Sequence, residues 1–250
     1  MAWPDGLSLT RRRTHQPRWW QDRHALFARL RWHTSNRTAA RRPLGHSRVY
    51  GPRPRLPGHG TSADDMATTG WDDWAAEVER ALDSLLESTE KAVIVGLSMG
   101  GTLALSTAIS RDDVAGVVAI NPLVSVDPDM VEQVQLFVDS GATEIDNGPA
   151  DVSDPEVVEL GYQTLPLKPM LSLYENAERT LSGLPDLTVP VLVITSRNDH
   201  QVPTQNSALV VEALGTRASQ VWLEKRFHVA TLDVENDRIA VAINQFVGTL

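Results

Sequence analysis

Between Thr69 and Thr89 apolar side chains recur at Trp71, Trp74, Val78, Ala81, Leu82, Leu85 and Leu86, with acidic residues between them. Steps of three and four place these on one face of a helix, so TGWDDWAAEVERALDSLLEST is predicted to be amphipathic and helical. The pattern then changes. Ala92 to Val95 form a short unbroken apolar run, followed by a glycine-flanked turn and a second helical stretch from about Gly101. VAGVVAI (114–120) and VPVLVIT (189–195) are two more continuous β-branched runs, and SQVWLEK (219–225) reads as another strand. Such runs lack the alternation of a half-exposed strand and suit strands covered on both faces of a parallel sheet. Helical patterns fall around 204–214 and around 235–248, where Ile239, Val241, Ala242, Ile243, Phe246 and Val247 recur. Strand and helix alternate, which predicts an α/β fold with a doubly wound, mostly parallel sheet.

Residues from about 122 to 186 interrupt the alternation. MVEQVQLFV, a loop rich in Gly, Asp and Pro, and PLKPMLSLYENAERTL read as a mainly helical insertion between two strands. Ligands of open α/β sheets bind beyond the carboxyl ends of the strands, so an insertion there is placed to act as a cap over a pocket. Its apolar residues include Met130, Val134, Phe137, Leu165, Leu167, Met170 and Leu171, enough to line an acyl-chain site or simply to pack the insertion onto the sheet. No internal repeat is visible.

Composition narrows the chemistry. A chain of 250 residues, 42% of them hydrophobic, can bury one sizeable core. No cysteine is present, which excludes disulfides, thiolate zinc sites and cysteine nucleophiles. The start, MAWPDGLSLTRRR, lacks the apolar stretch of a secretory signal, and no run approaches the roughly 18 apolar residues of a membrane span, so a cytoplasmic location is expected. The net charge of −9 hides an asymmetry: residues 1–55 carry 13 Arg and 2 Asp, while the remainder is strongly acidic. An acidic main body repels phosphate, which disfavours nucleic acid as a partner.

Gly96-Leu97-Ser98-Met99-Gly100 matches G-x-S-x-G between a predicted strand and a predicted helix. In that setting the glycines allow a tight turn that lifts the serine hydroxyl above the sheet. A serine hydroxyl is a weak nucleophile at neutral pH and needs a base, and the base needs an orienting carboxylate. VLVITSRNDHQVP puts Asp199 just after one strand, and VWLEKRFHVATLD puts His228 just after the next. The order Ser, Asp, His, each following a strand, points to Ser98 as nucleophile, His228 as general base and acid, and Asp199 as its orienter. The backbone N–H of Met99 is then one oxyanion donor. His200 reads as a pocket-wall or surface histidine, and Asp233 as a reserve carboxylate or a cap for the final helix.

LPGHGTS, GLSMGG, SRNDHQVP and FHVATLD together resemble the serine carboxylesterase and monoacylglycerol lipase branch of the α/β-hydrolases, a bacterial group with a small helical cap. The resemblance covers residues from about 55 to 250. It implies hydrolysis of a carboxylic ester, or a monoacylglycerol, of medium acyl-chain length through an acyl-enzyme on Ser98. It also implies no metal and no organic cofactor. Serine rather than aspartate at position 98 disfavours a dehalogenase or an epoxide hydrolase.

The resemblance stops at the seam VYGPRPRLPGHGTS. Such enzymes require, ahead of LPGHG, a strand ending in a His-Gly-Phe-like turn that shares the oxyanion hole, and this chain has none. About two strands and a helix of the family pattern are replaced by the arginine-rich stretch. The genetic code offers one reason. Re-read from the second base of each codon between Trp19 and Pro52, Trp19-Trp20-Gln21 forces Gly-Gly followed by Lys or Arg. Ala28 to Leu30 permits His-Gly, Leu30 into Arg31 permits Phe, and the string can run as HGFAGTPAT toward PRLPGHG. Residues 1–52 are therefore read as out-of-frame sequence preceding a hydrolase domain at 53–250, with a basic arm or a targeting segment as the other readings. If the turn is lost, the chain as written is a damaged or non-catalytic hydrolase-like domain, and the Ala92–Val95 strand is expected to present a bare edge.

Overall fold

The apolar runs set the centre of the molecule. The computed structural model describes residues 26–29, 53–154, 157, 159, 161–232 and 236–250. The remainder of segment 1–52 and Asp233 lie outside the described residues. Among the described residues five strands form one sheet: β1 (Leu26–Arg29), β2 (Ala92–Leu97), β3 (Val114–Ile120), β6 (Val191–Ser196) and β7 (Ala218–Leu223). They lie in the order β1-β2-β3-β6-β7, and β2, β3, β6 and β7 are parallel. Every residue of β2 and β6 is buried, the consequence of helices on both faces.

Alternate side chains enter two separate cores. Ala92 and Ile94 of β2, Val117 and Ala119 of β3, and Val191 and Val193 of β6 pack against α2 (Trp71–Leu86), α3 (Met99–Ser110) and α6 (Gln205–Leu214). Val93, Val95, Leu97, Val118, Ile120, Leu192 and Ile194 pack instead with α7 (Asn236–Val247), through Ile239, Ala242, Ile243 and Phe246. Each fully buried Val, Leu or Ile side chain stabilises the fold by about 1.5–3 kcal/mol relative to exposure, which is why such continuous runs hold the sheet between two layers.

α2 buries Trp71, Trp74, Val78, Leu82 and Leu85 along one stripe, as its spacing predicts. Its start is fixed by the Asp73 carboxylate, which accepts the Gly70 N–H at 3.0 Å, and Asp72 and Asp73 complement the positive end of the helix. α3 is apolar around its whole circumference because it is covered on all sides, nine of its twelve residues being buried. A one-turn helix, α1 (Ala63–Met66), is capped by the Ser62 hydroxyl accepting the Asp65 N–H. No periodicity marks so short an element.

The insertion leaves the sheet after β3 and returns at β6. It contains the expected helices, α4 (Pro128–Asp139) and α5 (Leu167–Gly183), and a 3₁₀ turn at Leu184–Asp186. It also holds an antiparallel pair, β4 (Glu144–Asp146) with β5 (Thr164–Pro166), too short to show a pattern. Ser172 and Tyr162 are among the residues that fasten the insertion to the main body. Ser172 Oγ of α5 accepts the Trp71 N–H at 3.0 Å. Tyr162 donates its hydroxyl to the Gly58 carbonyl at 2.8 Å and accepts the Thr61 N–H at 2.7 Å, tying the LPGHGTS turn to the cap.

The described residues of segment 1–52 form one four-residue strand. β1 runs antiparallel to β2, from Leu26 opposite Val95 to Arg29 opposite Ala92. The expected bare edge on Ala92–Val95 is thereby corrected: four backbone partners cover it. Among the described residues no helix is long and apolar enough to cross a membrane.

Candidate active site

Ser98 joins β2 to α3 with φ 54° and ψ −123°. A left-handed φ on a residue other than glycine costs on the order of 1–3 kcal/mol and persists only where the surroundings hold it. Here they do. The Ser98 N–H donates to the Ile120 carbonyl at 2.8 Å, and the Ser98 carbonyl accepts the N–H groups of Gly101 and Thr102 at 2.8 and 3.2 Å. The Thr102 hydroxyl braces the turn from below, donating to the Leu123 carbonyl at 2.5 Å. A Cβ on Gly96 would lie 2.0 Å from the Gly100 carbonyl oxygen, so the turn closes only over glycine at that position. Met99 follows at the first turn of α3, where backbone N–H groups have no helical acceptor and the helix dipole favours negative charge.

Asp199 and His228 arrive from the loops after β6 and β7. Adjacent parallel strands bring these loops side by side. His228 Nδ1 lies 2.8 Å from Asp199 Oδ2, and the two side chains are only 6% and 2% exposed. The other Asp199 oxygen accepts the N–H groups of Gln201 at 3.0 Å and Val202 at 2.7 Å, so the carboxylate cannot rotate freely. A carboxylate on Nδ1 selects the tautomer that carries its proton there and leaves Nε2 as an acceptor. Such a group can take a proton from a serine hydroxyl and return it to a leaving group.

Two further residues hold this arrangement, and sequence reasoning missed both. Asn121, directly after β3, is buried and has φ 44°. Its side chain accepts the Ser196 N–H at 2.7 Å, and its amide donates to Ser196 Oγ at 3.0 Å and to the His228 carbonyl at 2.8 Å. Its place at the end of an apolar run was the available signal. Asp151, from the cap, accepts the backbone N–H groups of both His200 and His228 at 2.9 Å. Burial raises its pKa, but those two N–H groups and the His200 ring outweigh it and hold the carboxyl below the ordinary carboxylate range. No local pattern marks Asp151. His200 reaches the same carboxylate through Nδ1 at 2.7 Å, with its side chain 60% exposed and its ring edge-on to Phe227.

The cap residues singled out from the sequence fall into three groups. Val134 and Leu167 are buried, and Leu165, Met170 and Leu171 are half-buried. Met130 and Phe137 are 50% and 43% exposed on α4, so much of their surface faces solvent rather than the sheet. α4 and α5 meet at Tyr174, whose hydroxyl contacts Met130 Sδ at 3.8 Å. Among the described residues no group of three or more His, Asp or Glu is arranged to hold a metal ion.

A strained serine follows one strand of the sheet and a buried His–Asp pair lies in the loops after two later strands of that sheet; in sequence and in fold the chain is similar to known proteins. The sequence model of the Alpha/beta hydrolase family matches residues 4–237. A thermostable monoacylglycerol lipase from Bacillus sp. (strain H-257) is 34% identical over 191 residues, 74% of either chain. A carboxylesterase from Bacillus subtilis (strain 168) is 23% identical over 200 residues, covering 79% of this chain and 80% of that one. A solved structure from work on the metagenome-derived lipolytic enzymes LipS and LipT superposes with a TM-score of 0.75 at 31% identity, covering 79% of this chain and 81% of its own. With the family match extending over most of its length, and a relative above 30% identity across three quarters of it, this chain belongs to the alpha/beta hydrolase family.

Proposed function

We propose that the protein is a carboxylic ester hydrolase of the carboxylesterase or monoacylglycerol lipase type, working through an acyl-enzyme on Ser98. His228 Nε2 takes the Ser98 proton as the hydroxyl oxygen attacks the ester carbonyl, and Asp199 holds the imidazolium that results. The Met99 N–H, at the positive end of α3, stabilises the oxyanion of the tetrahedral intermediate. His228 then gives its proton to the leaving alcohol. A water molecule repeats the sequence, with His228 as base, and frees the acid. The observation that carries the reading is the 2.8 Å pair between His228 Nδ1 and Asp199 Oδ2, almost sealed from solvent in loops adjoining the nucleophile strand's own sheet. Relatives named as a monoacylglycerol lipase and a carboxylesterase support the substrate class.

Medium-chain esters and monoacylglycerols are the proposed substrates. Leu165, Met170 and Leu171, half-buried, offer apolar surface in the cap, and each acyl methylene buried there contributes about 0.8 kcal/mol. The test is a panel of p-nitrophenyl esters from acetate to long chains, with monoacylglycerols and triacylglycerols, on the parent and on Ser98→Ala. Activity should peak at medium chain length, and Ser98→Ala should lower turnover by several decades, on the order of 10⁴-fold or more. A preference for acetate or for peptides would sink the substrate reading. Unchanged turnover in Ser98→Ala would sink the mechanism.

A further inference from the structure

Asp151 belongs to the cap insertion, 49 positions before His200 and 77 before His228, yet it is only 9% exposed. Its Oδ2 accepts the N–H of His200 and the N–H of His228, both at 2.9 Å. Its Oδ1 lies 2.7 Å from His200 Nδ1, and its carbonyl accepts the Val229 N–H at 3.1 Å. Every one of these bonds ends on the neighbour of Asp199, on His228, or on the neighbour of His228. One buried carboxylate thus ties the acid loop to the base loop from outside both.

We propose that Asp151 is a positioning residue for the reaction: from the cap, it sets the spacing of the Asp199 and His228 loops, so that the His228 imidazole stays on Asp199 with Nε2 aimed at Ser98. The inference rests on the proposed roles of those three residues. Other bonds already link the two loops to each other, brace the base loop internally and hold it to the end of β3. The Asn198 N–H donates to the Arg226 carbonyl at 3.3 Å, Arg226 Nη1 donates to the Ala230 carbonyl at 2.9 Å, and Asn121 grips the His228 carbonyl. These grip the base loop by its carbonyl groups. Asp151 supplies the acceptor for the His228 N–H and shares it with His200, whose ring in turn braces Phe227 at a centroid distance of 4.6 Å. Without it the buried His228 N–H and the partly buried His200 N–H need new acceptors, and the base loop must shift to find one. A shift of about 1 Å in a reacting group can cost on the order of 10²-fold in rate. The cap is thereby a contributor to the geometry of the base as well as a wall for substrate.

The test uses the full chain with Asp151→Ala and Asp151→Asn. Asparagine keeps one carbonyl oxygen for the two backbone N–H groups and turns its amide toward His200 Nδ1, which accepts in the other tautomer. Three quantities are read below each variant's melting midpoint: the rate of Ser98 labelling by a fluorophosphonate, kcat and KM on a p-nitrophenyl ester, and the deshielded proton resonance of His228 Nδ1–H. Asp151→Ala should lower the labelling rate and kcat by about 10- to 100-fold, the cost of displacing a reacting group by up to about 1 Å, with KM little changed. Its imidazole resonance should broaden or vanish. Asp151→Asn should recover most of the rate and keep the resonance. Should Asp151→Ala fail to fold, Asp151→Ser replaces it, its hydroxyl being too short to reach both loops, with the same losses expected. Parental labelling in the Ala or Ser variant overturns the proposal, as does an Asn variant no better than Ala. The resonance is read whether or not the chain turns over. Ser98→Ala separates the two readings: if it still labels, the nucleophile assignment fails, whereas if labelling is lost with Ser98 but not slowed by Asp151→Ala, only the role of Asp151 fails.

Discussion

Gly96→Ala adds one methyl group at the point where the Ser98 turn closes. Its Cβ would sit 2.0 Å from the Gly100 carbonyl oxygen, 2.1 Å from the Gly100 carbonyl carbon and 2.6 Å from the Gly101 nitrogen. All three are backbone atoms at the start of α3, so no side chain can swing away. Real Cβ contacts essentially never fall below 3.0 Å, which means the strand end and the helix start must separate by about 1 Å. That movement pulls on Ser98, whose carbonyl bonds to Gly101 and Thr102 form the turn itself. Misplacing a reacting group by about 1 Å can cost on the order of 10²-fold, and overpacking a close-packed site costs about 1–3 kcal/mol. Gly96→Ala should therefore lower fluorophosphonate labelling and ester turnover by about two decades and reduce the melting temperature by several degrees. Gly101→Ala is the graded comparison. There the added Cβ meets the Pro122 side chain at 3.1 Å and the Pro122 Cα at 3.3 Å, a crowding that a few tenths of an ångström relieve. The gain in helix propensity of roughly 1 kcal/mol from Gly to Ala opposes that strain, so stability should change little. Near-parental labelling in Gly96→Ala, or equal losses in the two variants, would refute the reasoning.

Asp199→Asn should cut kcat by about 10⁴-fold with little loss of stability, because an amide favours the wrong tautomer of His228 while preserving the shape; parallel losses in kcat and melting temperature would point to a structural role instead. The carboxyl of Asp113 is held below the ordinary range by hydrogen bonds from Arg111, one of them 2.6 Å long, and Asp151 lies below that range too. A depressed folded pKa contributes stability that is complete above the unfolded value of about 3.9 and is lost as pH falls through the folded value. The gap in melting temperature between the parent and Asp113→Asn should accordingly narrow on acidification below about pH 4, and a gap that widens would contradict the assignment. Restoring the reading frame upstream of Arg53, so that His-Gly-Phe precedes LPGHG, should raise turnover by about 10²–10³-fold, the usual worth of one oxyanion donor; a fully active chain as written would refute the frame argument.

Local order explains what could be read from the residues alone. The stripe of α2 and the unbroken runs of β2, β3 and β6 follow from which faces must be covered, and periodicity records that directly. Ser98, Asp199 and His228 could be singled out because each sits at the end of such a run, where an α/β sheet presents side chains to a ligand. Parallel pairing of β6 with β7 then needed only the strand order to bring two loops together. Tertiary placement decided the rest. Asp151 lies in a loop without pattern, and the three contacts of its carboxylate exist only because the cap folds back across 49 and 77 positions. Asn121 is marked by position, but its role depends on Ser196 and His228, which approach from other strands. Met130 and Phe137 share an apolar spacing with Val134, and only the packing of α4 left the first two half in solvent and the third buried. The antiparallel seat of β1 on β2 belongs to the same class, since a four-residue run carries no information about direction. Periodicity encodes that a face is buried; which distant polar group must satisfy a buried N–H is settled only when the chain closes around it.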